Sequence, residues 1–321
     1  MLHGNLVGVV AIGRNEGERL LRCLASLRGV ACLVYVDSGS DDGSVAAAMA
    51  AGAEVVRLDT AVPFTAGRAR NAGLRRLVEL RPDLEFVQFI DGDCELVRTW
   101  IPAAVAYLAR EAGYAVACGR RRERHPRRSI YNHLCDLEWD TPVGEARSCG
   151  GDALLRVDAF RQVGGFREDL IAGEEPELCL RLRAAGWRVR RLPCEMTLHD
   201  AAMTRWTQWW RRSVRAGHAF AEGASLHGAT PERHWRRETA RALAWGAAVP
   251  AAAGLLAAAV GPAGLALLLV YPLQVARLAR GPGGLAHAFF LVAGKFAECW
   301  GVLRFWRTRW QQRPPRLIEY K

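Results

Sequence analysis

The stretch that most restricts how this chain can fold is residues 84–95, LEFVQFIDGDCE. Phe86, Val87, Phe89 and Ile90 make a short, β-favouring apolar run, the pattern of a strand buried on both faces. The run stops at Asp91-Gly92-Asp93, two carboxylates flanking one glycine. In open α/β sheets, ligands lie beyond the carboxyl ends of the strands. Acids placed there suit a hard cation such as Mg²⁺ or Mn²⁺, which takes oxygen ligands and keeps positions open for phosphate. The plainer alternative is a turn in which Asp and Gly serve only the backbone.

The flanking sequence alternates strand and helix patterns. Residues 6–12 read as a buried first strand, and Asn15 in the loop that follows is placed to cap a helix carrying Leu20, Leu24 and Leu27 on one face. Residues 32–36 read as a second strand ending at Asp37, and residues 53–58 as a third. Residues 66–80 read as a helix, closed by Pro82-Asp83 before the central strand. Further on, residues 100–112 read as helix and 114–118 as strand, followed by a basic loop over 120–128 with six arginines, a candidate acceptor or phosphate contact. Glycines 164 and 165 close a short helix. Glu174-Glu175-Pro176 opens another, which ends near Gly186. Residues 187–192 read as a strand, with His199-Asp200 in a loop beyond it. This alternation predicts an α/β fold with a mostly parallel, Rossmann-like sheet and helices on both faces.

A chain of 321 residues, half of them hydrophobic, can hold one large domain and an appendage. Its net charge of +11 is concentrated late: residues 226–321 carry 13 Lys+Arg against 4 Glu, a balance of +9. Mixed with long apolar runs, that charge points to an anionic membrane surface and away from nucleic acid. Residues 242–276 contain no charged side chain. One straight crossing needs about 20 residues and two need about 40. Gly261-Pro262 lies near the middle, arginines flank both ends, and a hairpin with both ends in the cytoplasm is expected. Residues 285–303 form a third apolar segment, interrupted by Lys295 and Glu298. Trp206, Trp209 and Trp210 among arginines suit either a helix at the lipid headgroups or an aromatic core cluster. The expected domains are 1–225, the α/β domain, and 226–321, a helical membrane-associated region. The nine cysteines form no C-x-x-C pair and read as buried thiols in a reducing compartment. The apolar run at 6–12 is too short for a signal peptide.

Six stretches, VVAIGRNEGERLLRCLASL, VYVDSGSDDGS, GRARNAG, FIDGDCE, CGGDALLRVDAFRQVGGF and GEEPELCLRLRAAGW, occur in an order that resembles the family 2 glycosyltransferases of the GT-A fold, across roughly residues 5–220. The resemblance implies an enzyme that moves a sugar from a nucleotide-diphosphate donor (a UDP- or GDP-sugar) to an acceptor hydroxyl, with inversion. It places Arg14, Glu16, Asp37 and Arg70 on the nucleotide. Asp93 would hold the metal, with Asp91 on the ribose or a metal-bound water and His199 as a third ligand. Glu175 takes the general-base position, with Glu174 beside it as the alternative. Processive synthases of the family carry Q-x-x-R-W; here Arg205-Trp206 is present but position 202 is alanine, which favours single-sugar transfer. A lipid-linked glycan acceptor, contact with membrane lipids, a role in cell-envelope or exopolysaccharide assembly and a place on the cytoplasmic side of the cytoplasmic membrane are the corresponding expectations. The competing expectation is a catalytically inactive nucleotide-sugar-binding or scaffold protein of the same fold.

Overall fold

The computed structural model describes residues 6–312 and 318 and divides into two compact units, Met1–Leu170 with Glu174–Ala202, and Ile171–Gly173 with Met203–Lys321. The first unit begins with β1 (Val7–Gly13), α1 (Glu18–Ser26), β2 (Leu33–Asp37), α2 (Ser44–Ala50), β3 (Glu54–Arg57), α3 (Ala66–Leu80) and β4 (Phe86–Asp91). β5 (Cys94–Leu96), α4 (Trp100–Arg110), β6 (Tyr114–Glu123), α5 (Ile130–Trp139), β7 (Gly144–Ala146), β8 (Ala153–Arg156), α6 (Val157–Gln162), α7 (Glu174–Ala184) and β9 (Arg188–His199) follow.

The strand order is β3-β2-β1-β4-β8-β6-β9-β5, with β7 paired to β9. The first four strands are parallel, as the strand–helix alternation requires. Beyond β4 the sheet becomes mixed: β8 runs antiparallel to β4 and β6, while β6 and β9 are parallel. The core is the apolar strand set, with Val9, Val34, Val87, Phe89 and Val116 buried, covered by Leu20 and Leu24 of α1 and Leu77 of α3. α3 lies close against the sheet because Gly73 has no side chain: a Cβ there would stand 2.3 Å from Val10.

Three local expectations are corrected. Asn15 does not cap α1. It has φ 53°, and its Oδ1 accepts from Asp41 N at 2.9 Å while its own N–H donates to Ser40 Oγ at 3.0 Å, so it fastens the β1–α1 loop to the β2–α2 loop. The run 120–128 is not all loop, because β6 continues to Glu123. β9 continues past Leu192 as far as His199, so His199 is a strand residue.

The second unit is helical: α8 (Trp206–His227), α9 (Arg236–Leu243), a π-helical turn at Ala244–Ala248, α10 (Val249–Val260), a 3-10 run at Pro262–Leu269, α11 (Val270–Leu278) and α12 (Gly284–Trp310). The turn between α10 and the 3-10 run falls at Gly261, whose φ of 84° suits glycine. Arg236–Val260 and Gly284–Trp310 are long and apolar enough to cross a membrane, with mean hydropathy 1.8 and 1.2, and Pro262–Leu278 is a shorter apolar helix. Trp206, Trp209 and Trp210 form one aromatic cluster with Phe290 of α12. α8 and α12 meet backbone to backbone at Gly217 and Gly301, where a Cβ would fall about 2 Å from Glu298 O and Val214 O respectively.

Candidate active site

The carboxyl end of β4 delivers Asp91, the last strand residue, and Asp93 lies between β4 and β5. The two acids face different partners. Asp91 Oδ1 accepts from Arg70 Nη2 at 2.7 Å and its Oδ2 from Arg121 Nη2 at 3.2 Å. Burial pushes the Asp91 carboxyl up, but the two guanidiniums outweigh burial and hold it well below the usual carboxylate range. Arg70 is buried in α3 and divides its fork, with Nη1 donating to Glu174 Oε1 at 2.7 Å. One guanidinium therefore joins the acid at the end of the central strand to the acid that opens α7.

Arg121 is held in turn by Asp152, which is fully buried just ahead of β8. Asp152 Oδ1 accepts from Asp91 N at 3.0 Å, and its Oδ2 takes Arg121 Nε at 3.0 Å and Thr197 Oγ1 at 2.9 Å. Neither Arg121 nor Asp152 stands out in the sequence reading. The signal that could have found Arg121 is strand alternation, which puts residues 121 and 123 on one face of β6. Gly151, with φ 32°, leaves room for this group: a Cβ there would lie 3.0 Å from Arg70, 3.1 Å from Arg121 and 3.1 Å from Asp91.

Asp93 is buried, and its Oδ2 lies 3.2 Å from His199 Nε2. The pairing of β5 with β9 brings His199 opposite Cys94. Asp93, Cys94 and His199 offer three ligand atoms within 4.8 Å of one another. Neighbouring ligands of an octahedral ion bonded at about 2.1 Å stand roughly 3 Å apart, so the Asp93–His199 separation fits a shared cation. Burial pushes the His199 imidazole down from its ordinary value, and Glu123, 3.8 Å from Nδ1, only partly restores it. A neutral imidazole is the form that ligates a metal. Asp91, with both oxygens on guanidiniums, is less available for direct ligation.

Glu175 lies in the first turn of α7, where its Oε1 accepts from the Cys149 backbone N–H and from Cys179 Sγ. It is thus attached to the same 149–152 loop that presents Gly151 and Asp152 to Asp91. Asp37 is buried at the end of β2, and its Oδ2 accepts from Gly39 N and Ser40 N, both at 3.0 Å. Arg14 is exposed over the ring of Phe64, 4.7 Å from its centre, and Glu16 pairs with Arg19 at 2.7 Å. Asn71, next to Arg70, clamps the loop after α6: it donates to Phe166 O at 2.8 Å and accepts from Phe166 N at 3.0 Å. All nine cysteines are free thiols, seven of them buried.

Residues 9–164 match the family model described as Glycosyl transferase family 2. Over 236 residues the chain is 29% identical to the pre-mycofactocin glycosyltransferase of Mycobacterium tuberculosis, a match covering 69% of this chain and 48% of that protein. The chain therefore spans about half the length of the curated relatives it matches. The mannosyltransferase PcManGT from Pyrobaculum calidifontis, solved with GDP-Man and Mn²⁺, superposes with a TM-score of 0.65 at 23% identity, over 93% of this chain and 87% of that one. The 1–349 fragment of TarS from S. aureus, solved with UDP-GlcNAc, superposes with a TM-score of 0.52 at 14% identity, over 96% and 92% of the two chains. Glucosyl-3-phosphoglycerate synthase from M. tuberculosis, solved with Mn²⁺ and UDP-glucose, gives 0.50 at 20% identity, over 70% and 80%. At these identities the solved structures demonstrate a shared fold.

Proposed function

Because residues 9–164 match the family 2 glycosyltransferase model and the chain shares the fold of a solved mannosyltransferase, we propose that it is a family 2 glycosyltransferase that transfers a sugar from a UDP- or GDP-sugar to an acceptor hydroxyl, with inversion and with a divalent cation, Mg²⁺ or Mn²⁺. The observation that carries this reading is the meeting of two acidic systems at the end of one strand. Asp93 pairs with His199, and Asp91 is linked through Arg70 to Glu174. Nucleotide sugars and Mn²⁺ in the structurally similar enzymes support the same donor class.

Asp93 and His199 would hold the cation, with Asp91 at the ribose or a metal-bound water. When bound, the cation supplies Lewis-acid neutralisation of the departing diphosphate. Arg70 adds a buried positive charge beside it, kept in place by Asp91 and Glu174. Asp37, Arg14 and Glu16 would line the nucleoside side. Glu174 has its charge matched by Arg70, whereas Glu175 is held by an N–H and a thiol. Glu175 is therefore the carboxylate left to accept the acceptor hydroxyl's proton. Arg127 and Arg128 line an open depression of about 570 Å³ with His125, a surface suited to an anionic acceptor group.

The apolar helices and basic charge of the second unit support an acceptor linked to lipid, on the cytoplasmic side of a membrane, in cell-envelope or exopolysaccharide assembly. The test is release of nucleoside diphosphate from UDP- and GDP-sugars, with and without Mn²⁺, offered lipid-linked glycans and, separately, pre-mycofactocin. Metal-dependent release is expected with one nucleotide. It should fall by roughly 100-fold or more in Glu175→Gln, the scale of general-base catalysis, and donor binding should be lost in Asp93→Ala. Donor binding without release from any acceptor would favour the inactive scaffold instead.

A further inference from the structure

Cys149 and Cys179 have no part in sugar transfer as described above, yet they surround one of its acids. Cys179 follows Glu175 by one turn of α7, and its Sγ lies 3.1 Å from Glu175 Oε1. Cys149, in the loop ahead of Gly150-Gly151, brings its own Sγ to 3.7 Å from that of Cys179. The two sulfurs and a Glu175 oxygen lie within 4.8 Å of one another, and all three residues are buried.

The sulfur separation distinguishes two chemistries. A disulfide requires about 2.05 Å between the sulfurs. Two thiolates on one tetrahedral ion, each bonded at about 2.3 Å, stand roughly 3.8 Å apart. The pair already has the second spacing and would need to close by more than an ångström to reach the first. Two soft sulfurs with one carboxylate select zinc-like ions over the hard Mg²⁺ and Mn²⁺ suited to Asp93 and its neighbours.

We propose that Cys149, Cys179 and Glu175 form a second metal site, specific for a thiophilic divalent cation of the Zn²⁺ class, and that filling it withdraws Glu175 from the reaction. Two S–H bonds break, two metal–sulfur bonds form, two protons pass to solvent, and no electrons are exchanged. A carboxylate oxygen bound to the ion can no longer receive the acceptor's proton. This inhibitory half rests on Glu175 being the base; the binding half does not.

The whole chain, reduced and freed of metal with a chelator, is titrated with Cd²⁺ and Co²⁺ while the thiolate-to-metal charge-transfer absorption is recorded. With saturating Mn²⁺ present to fill the Asp93–His199 site, one equivalent is expected in the wild type. Cys149→Ser and Cys179→Ser should each weaken binding by at least 10- to 100-fold, roughly the loss that even a supporting residue of a metal site produces. Thermal melts of both variants and of Cys179→Ala verify that the fold is retained. In a second arm, Zn²⁺ is added during turnover with saturating Mn²⁺. Diphosphate release should fall in the wild type and resist zinc in Cys179→Ser, each measured against its own zinc-free rate. Absorption of unchanged affinity in both variants, or none in the wild type, overturns the site. Absorption lost in the variants while zinc leaves turnover unaffected upholds the site and overturns Glu175 as its inhibitory target.

Discussion

Arg70 shows how much can depend on one side chain in this fold. It is 2% exposed and bonded to two carboxylates. Arg70→Met leaves those acids without their shared counter-charge, and breaking a buried pair from one side costs about 3–5 kcal/mol. Because Asp91 retains some solvent contact, the expected loss in urea unfolding is about 3 kcal/mol, accompanied by loss of donor binding. Asp91 also carries a pH signature. Its carboxyl is held low in the folded chain by Arg70 and Arg121 against the effect of burial. Its stabilisation is therefore complete above the unfolded value of about 3.9 and declines as pH falls toward the folded one. Asp91→Asn should flatten the acid limb of the stability curve below about pH 4. Gly151 gives a third test. Alanine there meets Arg70, Arg121 and Asp91, whereas alanine at Gly150 meets nothing within 4 Å. Gly151→Ala should cut donor affinity and turnover by roughly 10- to 100-fold, and Gly150→Ala should cost mainly its left-handed strain of about 1–2 kcal/mol. Arg70 could be nominated from its triplet, but Arg121 could not be separated from five other arginines until β6 gave it a face.

At the level of elements, the parallel half of the sheet was legible because each strand carries a short apolar stretch with a polar loop after it. β9 was not. Pro193 follows Leu192, and a proline ordinarily ends a central strand, since it has no N–H to give the ladder. Here the β6–β9 pairing shifts register between Cys118↔Arg191 and Arg120↔Glu195, and the irregularity accommodates Pro193, carrying the strand on to His199. The metal-ligand expectation for His199 thus came from resemblance, while its strand position came from a bulge that local pattern does not reveal. α7 is the element most exposed to a single change. Arg181 grips the nearly inaccessible Glu177 one turn earlier and also donates to Val163 O and Gly165 O, closing the α6 loop. Arg181→Ala should cost about 3 kcal/mol, read as a lower urea midpoint, because the buried Glu177 then loses its guanidinium partner. Arg181→Lys should rescue little, since one ammonium cannot reproduce the fork.

At the scale of the whole molecule, the second unit carries exposed apolar helices. Leu255, Val260, Leu273 and Leu285 are each about two-thirds exposed or more, on helices whose flanks carry arginine. The whole chain should float with vesicles containing anionic phosphatidylglycerol and bind neutral phosphatidylcholine vesicles more weakly, with added salt narrowing the difference. Equal recovery on both vesicle types at low salt would remove the electrostatic part of that expectation. The charge-free run and its glycine–proline turn were plain in the sequence, whereas the aromatic cluster of Trp206, Trp209 and Trp210 was ambiguous until Phe290 supplied its fourth ring. The contact of Gly217 and Gly301 adds a different consequence. Two helices held by main-chain proximity draw on dispersion, which a hydrocarbon medium leaves intact, more than on expulsion of water. The α8–α12 seam should therefore weaken less than an interface of side chains alone on transfer between aqueous buffer, micelle and bilayer.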